Sequence, residues 1–236
     1  QTGRFFVNDV YVSMPEVKRG TVKWLRVVEE TSRVSASPGG TWMNQTFSIS
    51  AALAWSAKIF HGIVPVEPDG SVYFEAPSGR ALYFQLLDAD YRLVRGMRTF
   101  IQAAPGTTRS CAGCHEYNPK AMGQARLANR QPRRLREESW GGGYLDYTAR
   151  VQPILDAKCA SCHGGEKGVA AGLDLTGGWT EFFNISYEHL TARRERMYTA
   201  DLIGGICAMN GTAYWSCKVF GPYSHGSGKA PLAELL

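Results

Sequence analysis

The chain has 236 residues, of which 44% are hydrophobic and 20% charged, and its formal net charge is +5. This length allows one large domain or two smaller ones, and the composition is ordinary for a globular protein. Because no run of about 18 apolar residues occurs, we expect no transmembrane helix in this sequence. Neither end of the sequence resembles a natural terminus, so we expect a longer protein. The missing signal peptide therefore says little about the cellular compartment.

The N-terminal part of the chain reads as β-rich. Residues 5–12 and 21–28 carry β-branched and aromatic side chains at strand-like density. Between residues 62 and 102, turn signals separate several short strand-like runs. This spacing predicts a small antiparallel sandwich, with a Ser-, Pro- and Gly-rich loop over residues 31–45.

The composition changes after Arg109. We predict a short helix over residues 118–129, and apolar spacing predicts further helices over residues 146–157 and 185–198. Trp140 and the three glycines that follow it mark a linker between the two parts.

Two Cys-x-x-Cys-His motifs are the most specific chemical signal in the sequence. They read Cys111-Ala112-Gly113-Cys114-His115 and Cys159-Ala160-Ser161-Cys162-His163. The pattern predicts c-type haem attachment, in which both thiols bond to the haem and the adjacent histidine supplies an axial nitrogen to the iron. Paired cysteines can also bind zinc, but the wide separation of the motifs and the histidine in each favour haem. A thioredoxin-like redox pair is disfavoured by the same histidines.

The sixth ligand of each iron stays open at this point. The remaining histidines are His61, His189 and His225, and each is as readily explained as a structural side chain. Methionines are available at Met97, Met122, Met197 and Met209. A histidine ligand would give a low reduction potential, a methionine would raise it, and an empty position would permit catalysis.

The last two cysteines, Cys207 and Cys217, flank a short loop. A disulfide between them is expected if the chain is exported, and two buried thiols are the alternative. Haem attachment of this kind takes place outside the cytoplasm, so both features favour a periplasmic or extracellular location. Five arginines between residues 126 and 136 are interpreted as a solvated linker face near haem propionates, and no nucleic-acid partner is expected.

Several stretches resemble the hydrazine synthase alpha subunit family. The first set lies at residues 62–74, 82–88, 96–99 and 110–116 and is similar to the middle domain of that subunit. The second set, residues 151–155 and 221–227, is similar to the cytochrome domain that follows it. The resemblance implies one electron-transfer haem and one catalytic haem in the middle domain. It further implies that a tyrosine after the first motif, here Tyr117, ligates the iron while His115 turns toward a zinc ion.

These observations predict an α+β chain. Residues 1–140 form an antiparallel β-sandwich-like domain with the first haem loop, and residues 141–236 form a mainly α-helical cytochrome c domain with the second. The favoured function is electron transfer by a dihaem c-type cytochrome, with other redox proteins or subunits of a larger complex as partners. One alternative is a haem enzyme acting on small nitrogen compounds, with the Cys111/Cys114 haem as active site. A further alternative is a docking module of a multihaem assembly.

Overall fold

The computed structural model describes the chain in the following ranges: 1–12, 14–31, 58–97, 100–113, 130–164, 172–181, 183–190, 221–224, 226–228, 230 and 232–233. The chain divides into two compact units. The first unit comprises residues 1–31, 58–144 and 221–224, and the second comprises the remainder. The predicted loop over 31–45 (beyond residue 31) and the predicted helix over 118–129 lie outside the described residues. The predicted domain boundary near residue 140 stays a prediction.

The first unit is built from two β-sheets. Its strands are β1 (Thr2–Val7), β2 (Trp24–Glu30), β3 (Lys58–Pro65), β4 (Val72–Pro77), β5 (Leu82–Leu87), β6 (Leu93–Gly96), β7 (Thr108–Cys111) and β8 (Gly143–Tyr144). One sheet has the order β4-β1-β7, and the other has the order β6-β5-β2-β3-β8. The prediction of a β-rich first domain is confirmed.

Side-chain alternation explains how the sheets share a core. In β4 and β5, buried residues alternate with half-buried ones, as expected for strands with one face turned inward. Phe5 stacks on Phe74 at 5.6 Å between ring centroids, and Phe84 meets both rings edge-on. These rings come from β1, β4 and β5, so residues of both sheets form a single core.

The end of β1 differs from the strand predicted over residues 5–12. The strand stops at Val7, and the Asp9 carboxylate then accepts a hydrogen bond from the Tyr11 amide at 3.0 Å. This local bond turns the chain and competes with strand pairing. The pairing also departs from a purely antiparallel sandwich, because β7 runs parallel to β1 with Cys111 opposite Val7.

Residues 130–138, here called the arginine segment, lie along the edges of two strands. Arg133 exchanges backbone hydrogen bonds with β4, and Arg136 exchanges them with Ile63 of β3 at 2.8 and 2.9 Å. The described arginines of this region are exposed, as the interpretation of a solvated face predicts, but backbone hydrogen bonds tie the segment to β3 and β4, so it is not a free linker. Three of its arginines contact specific partners: Asp69 for Arg130, Glu67 for Arg133 and the Trp24 ring for Arg136.

The described part of the second unit contains a π-helical turn (Tyr147–Val151), α1 (Gln152–Lys158), α2 (Ile185–Leu190) and a 3-10 turn (Gly226–Gly228). Leu155, Leu175 and Leu190 form its small apolar core. The predicted helices near 146–157 and 185–198 thus have counterparts, the second described only to residue 190. A mainly helical cytochrome fold for this unit stays a prediction. None of the helices in the described ranges has the length and apolarity needed to cross a bilayer.

Candidate haem-attachment sites

The first motif begins at the end of β7, where it is tied to the chain that follows β1. The Asn8 amide donates to the Cys111 carbonyl at 2.9 Å, and the Asp9 amide donates to the Ala112 carbonyl at 3.1 Å. Cys111 itself is half-buried. Strand pairing therefore fixes the backbone of Cys111, the first cysteine of the motif.

Gly113 of this motif lies tightly against the chain that follows β1. A Cβ added there would lie 2.6 Å from the Val12 Cβ and 3.0 Å from the Val12 carbonyl oxygen. The side-chain oxygen of Asn8, whose backbone amide binds the Cys111 carbonyl, is buried and accepts no hydrogen bond within the part of the chain that the structure describes. A tightly seated glycine and an unsatisfied buried acceptor are compatible with a site that receives a further group.

The other predicted residues of the first site, Cys114, His115 and Tyr117, lie outside the described residues, as do Cys207, Cys217 and His225. Their predicted roles stay predictions, including the turning of His115 toward zinc. Across the described ranges, no group of three or more His, Cys, Asp or Glu side chains is placed to hold a metal ion.

The second motif follows α1 directly and forms a compact turn. The Cys159 amide donates to Leu155 at 2.8 Å, which continues the helical pattern, and the Cys159 carbonyl accepts from the amides of Cys162 and His163 at 3.1 and 2.9 Å. Cys159 is half-buried against the apolar core of its unit, whereas Cys162 is exposed, and neither is in a disulfide. Two unlinked thiols on one turn, with the histidine next in sequence, fit the geometry that haem attachment requires.

Residues 174–176, here called the motif clamp, hold this turn in place. The Leu175 amide donates to the His163 carbonyl at 2.7 Å, and the Leu175 carbonyl accepts from the Gln152 side chain at 3.0 Å. Gly164 fits closely beneath Thr176, since an added Cβ would lie only 2.4 Å from a Thr176 methyl carbon. The Thr176 hydroxyl and amide donate to Asp174 and lower the pKa of that carboxyl.

A buried polar network connects α1 to α2 behind the motif clamp. The Ser186 hydroxyl lies 2.6 Å from both the Gln152 and the Asn184 side-chain oxygens, and the Tyr147 hydroxyl lies 2.9 Å from it. Sequence reasoning missed Gln152 and Ser186 because isolated polar residues in an amphipathic pattern are expected to face solvent. The one sequence feature that could have indicated burial of Gln152 is its position between Val151 and Pro153 at the start of a helix.

Two of the three candidate distal histidines are described, and both have partners. His61 is the extra residue of a β-bulge in β3, where Val27 pairs with Gly62 and Val28 with Phe60. Its Nε2 lies 2.7 Å from the buried Glu29 carboxylate. The Nδ1 of His189 accepts a hydrogen bond from the Asp174 amide at 3.0 Å. Among the described residues, His189 is linked to the second motif through the motif clamp.

A C-terminal loop also belongs to the first unit. The Tyr223 amide donates to the Val94 carbonyl of β6 at 2.9 Å, and its hydroxyl donates to Asp88 at 3.0 Å. Burial and this bond to a carboxylate raise the pKa of Tyr223 to about 12. The loop thus anchors residues 221–224, just before His225, to the β-sheet.

Fold and motifs together define a β-sheet domain that leads into a Cys-x-x-Cys-His motif and is followed by a second unit with a motif of its own. Residues 20–116 match the family model "Hydrazine synthase alpha subunit middle domain". This stretch includes the whole first motif, and the predicted resemblance to the hydrazine synthase alpha subunit family is confirmed.

Comparison of structures agrees with this placement. The fold is similar to that of a Kuenenia stuttgartiensis hydrazine synthase chain, with a TM-score of 0.58 and 18% sequence identity. The similarity covers 83% of this chain but 34% of the solved one, so the present chain spans about a third of that relative. At this identity the likeness shows the fold alone. A search of curated protein sequences finds no match.

Proposed function

We propose that this chain is part of an exported redox protein and that it carries two covalently attached haems for electron transfer. The observation that carries the proposal is the turn from Cys159 to His163, whose shape is set by hydrogen bonds of the protein itself. A preformed turn presents two thiols and an imidazole without an ordering cost at the moment of attachment.

The residues of each motif have separate tasks in this proposal. The two cysteines of each motif would hold a haem by thioether bonds, each formed by addition of the S–H across a vinyl group with no atom lost. His163 would bind the iron at the second site through its imidazole, and α1 with the motif clamp fixes the backbone of that residue. A bound haem supplies an iron that gains and loses one electron.

A second candidate function is supported by the family match. Because residues 20–116 match the middle domain of hydrazine synthase alpha subunits, the first motif is a candidate active site for small nitrogen compounds. In that case Tyr117 and His115 would be the residues to examine, the latter as a zinc ligand. The family name denotes one subunit, so we also propose that the chain works with other subunits, outside the cytoplasm.

Ligand access to iron separates the two candidates. The purified, reduced holoprotein is exposed to carbon monoxide, and its Soret absorption is recorded before and after. A relay with both axial positions filled by protein ligands shows no change, which supports electron transfer. A shift that disappears in Cys111→Ala/Cys114→Ala but persists in Cys159→Ala/Cys162→Ala favours an open, catalytic iron at the first motif.

A further inference from the structure

The ring of His189 has a defined proton arrangement. Its Nδ1 accepts a hydrogen bond from the Asp174 backbone amide, with 3.0 Å between the two nitrogens. A neutral imidazole has one N–H and one lone pair, so a ring that accepts at Nδ1 carries its proton on Nε2. The Nε2 atom therefore has no lone pair to offer a metal.

Iron binding by Nε2 would require a different arrangement. The proton would have to move to Nδ1, where it would face the Asp174 N–H across the same short distance. Two donors would then oppose each other, and the half-buried amide would lose its acceptor. The observed bond and iron ligation by His189 thus exclude each other.

We propose that His189 is a positioning residue for the second haem-attachment turn and not an iron ligand. The inference rests on the proposed function, since it concerns the site at Cys159, Cys162 and His163. It removes one of the three histidines that the sequence offered as distal ligands.

The path from His189 to the motif is short. His189 holds the amide of Asp174, and the amide of the next residue, Leu175, donates to the His163 carbonyl at 2.7 Å. The His163 amide in turn donates to Cys159 at 2.9 Å. Leu190, adjacent to His189, packs with Leu175 in the apolar core, so α2 approaches the motif clamp through both side chains.

Two variants of the holoprotein test this role. His189→Asn keeps an acceptor oxygen near the position of Nδ1, whereas His189→Leu keeps bulk and removes the acceptor. We expect His189→Asn to retain the haem content, midpoint potentials and iron spin states of the wild type. We expect His189→Leu to lose part of the second haem or shift one midpoint potential, again without a new high-spin signal. The exposed Glu181→Gln serves as a control that changes none of these.

Two outcomes would overturn the inference. A new high-spin iron signal in both histidine variants would mean that the ring is a ligand. Wild-type haem content and potentials in His189→Leu would mean that the ring positions nothing.

A measurement without substitutions covers the case in which a variant fails to fold. In the reduced holoprotein, long-range ¹H–¹⁵N NMR should report His189 with a lone pair on Nδ1 and a proton on Nε2. The opposite tautomer would contradict the inference. If the wild type carries no haem at the second motif, the proposed function fails, while the same spectrum of the purified chain still tests the His189 bond.

Discussion

Gly113 illustrates how one residue determines the shape of the first motif. The space beside it is filled by Val12, and an added Cβ would also lie 3.1 Å from the Asp9 carbonyl oxygen. Any larger residue must push the motif away from the end of β1. Because these neighbours are backbone and a β-branched side chain, they cannot move aside at low cost.

We predict that Gly113→Ala destabilises the first unit by about 1–3 kcal/mol, the usual cost of overpacking, and lowers haem attachment at the first motif. Urea unfolding of the two proteins measures the change. Gly96→Ala is the matched control, since a Cβ there meets only side-chain atoms at 3.9 and 4.0 Å. Equal effects of the two substitutions would contradict the prediction.

Asp69 gives a prediction about acid sensitivity. Burial alone would raise its pKa, but hydrogen bonds from the Ser71 hydroxyl and amide, and from Arg130, outweigh it and hold the pKa at about 2. A carboxyl whose pKa is lowered on folding stabilises the protein at pH values above its pKa in the unfolded chain. That stabilisation is lost as the pH falls through its pKa in the folded protein.

We therefore expect Asp69→Asn to be less stable than the wild type near neutral pH, and we expect this difference to shrink as the pH falls from about 4 to about 2. The carboxylate is partly exposed, so the difference should not exceed about 1 kcal/mol. Urea midpoints at several pH values between about 6 and 2 measure it. A difference that stays constant over this window would count against the assignment.

At the second motif, the sequence predicted the attachment residues but not the side chain that holds the motif clamp. The adjacency of Cys159, Cys162 and His163 was predictable, because the motif is local. The hydrogen bond between His189 and Asp174 was not, because it joins residues 15 positions apart and depends on how α2 packs. The tautomer of a histidine depends on its hydrogen-bond partners and therefore cannot be predicted from the sequence alone.

At the scale of secondary-structure elements, local sequence patterns predicted where the strands lie better than they predicted which strands pair. Alternation in β4 and β5 follows from side-chain period and could be read directly. The parallel pairing of β7 with β1 links residues about a hundred positions apart, and no local signal encodes it. For the arginine segment, the sequence predicted solvent exposure but not the partners, since charge alone does not show which carboxylates lie opposite.

The arginine segment provides two ion pairs of contrasting burial. Glu138 forms a two-pronged pair with Arg26, whose side chain is 18% exposed against 5% for Glu138. Arg133 pairs with Glu67, and these side chains are 52% and 32% exposed. The arginine segment therefore contributes to one buried ion pair and to one exposed ion pair, and the exposed pair can serve as a control for substitutions in the buried one.

We predict that Arg26→Met, which leaves the Glu138 carboxylate buried, costs about 3–5 kcal/mol. Arg133→Met should cost about 1 kcal/mol or less, because an exposed pair contributes little. Adding Glu138→Leu to Arg26→Met should recover much of the loss. Unfolding free energies of the four proteins test this, and a larger effect at Arg133 than at Arg26 would refute it.

At the scale of the whole molecule, the two units have separate cores, one centred on Phe5, Phe74 and Phe84 and one on Leu155, Leu175 and Leu190. Removal of the second attachment pair should therefore leave the β-sheets folded. We predict that Cys159→Ala/Cys162→Ala loses one haem, while hydrogen exchange in β2 and β5 remains as slow as in the wild type. Rapid exchange of those strands in the variant would argue against independent units.

The central claim is that each of the two motifs carries a covalent haem. The most direct measurement is the alkaline pyridine spectrum of the chain after export in a host that attaches c-type haem, with protein concentration measured independently. The account predicts two c-type haems per chain, falling to one in Cys159→Ala/Cys162→Ala and to one in Cys111→Ala/Cys114→Ala. One haem or none in the wild-type chain would contradict it.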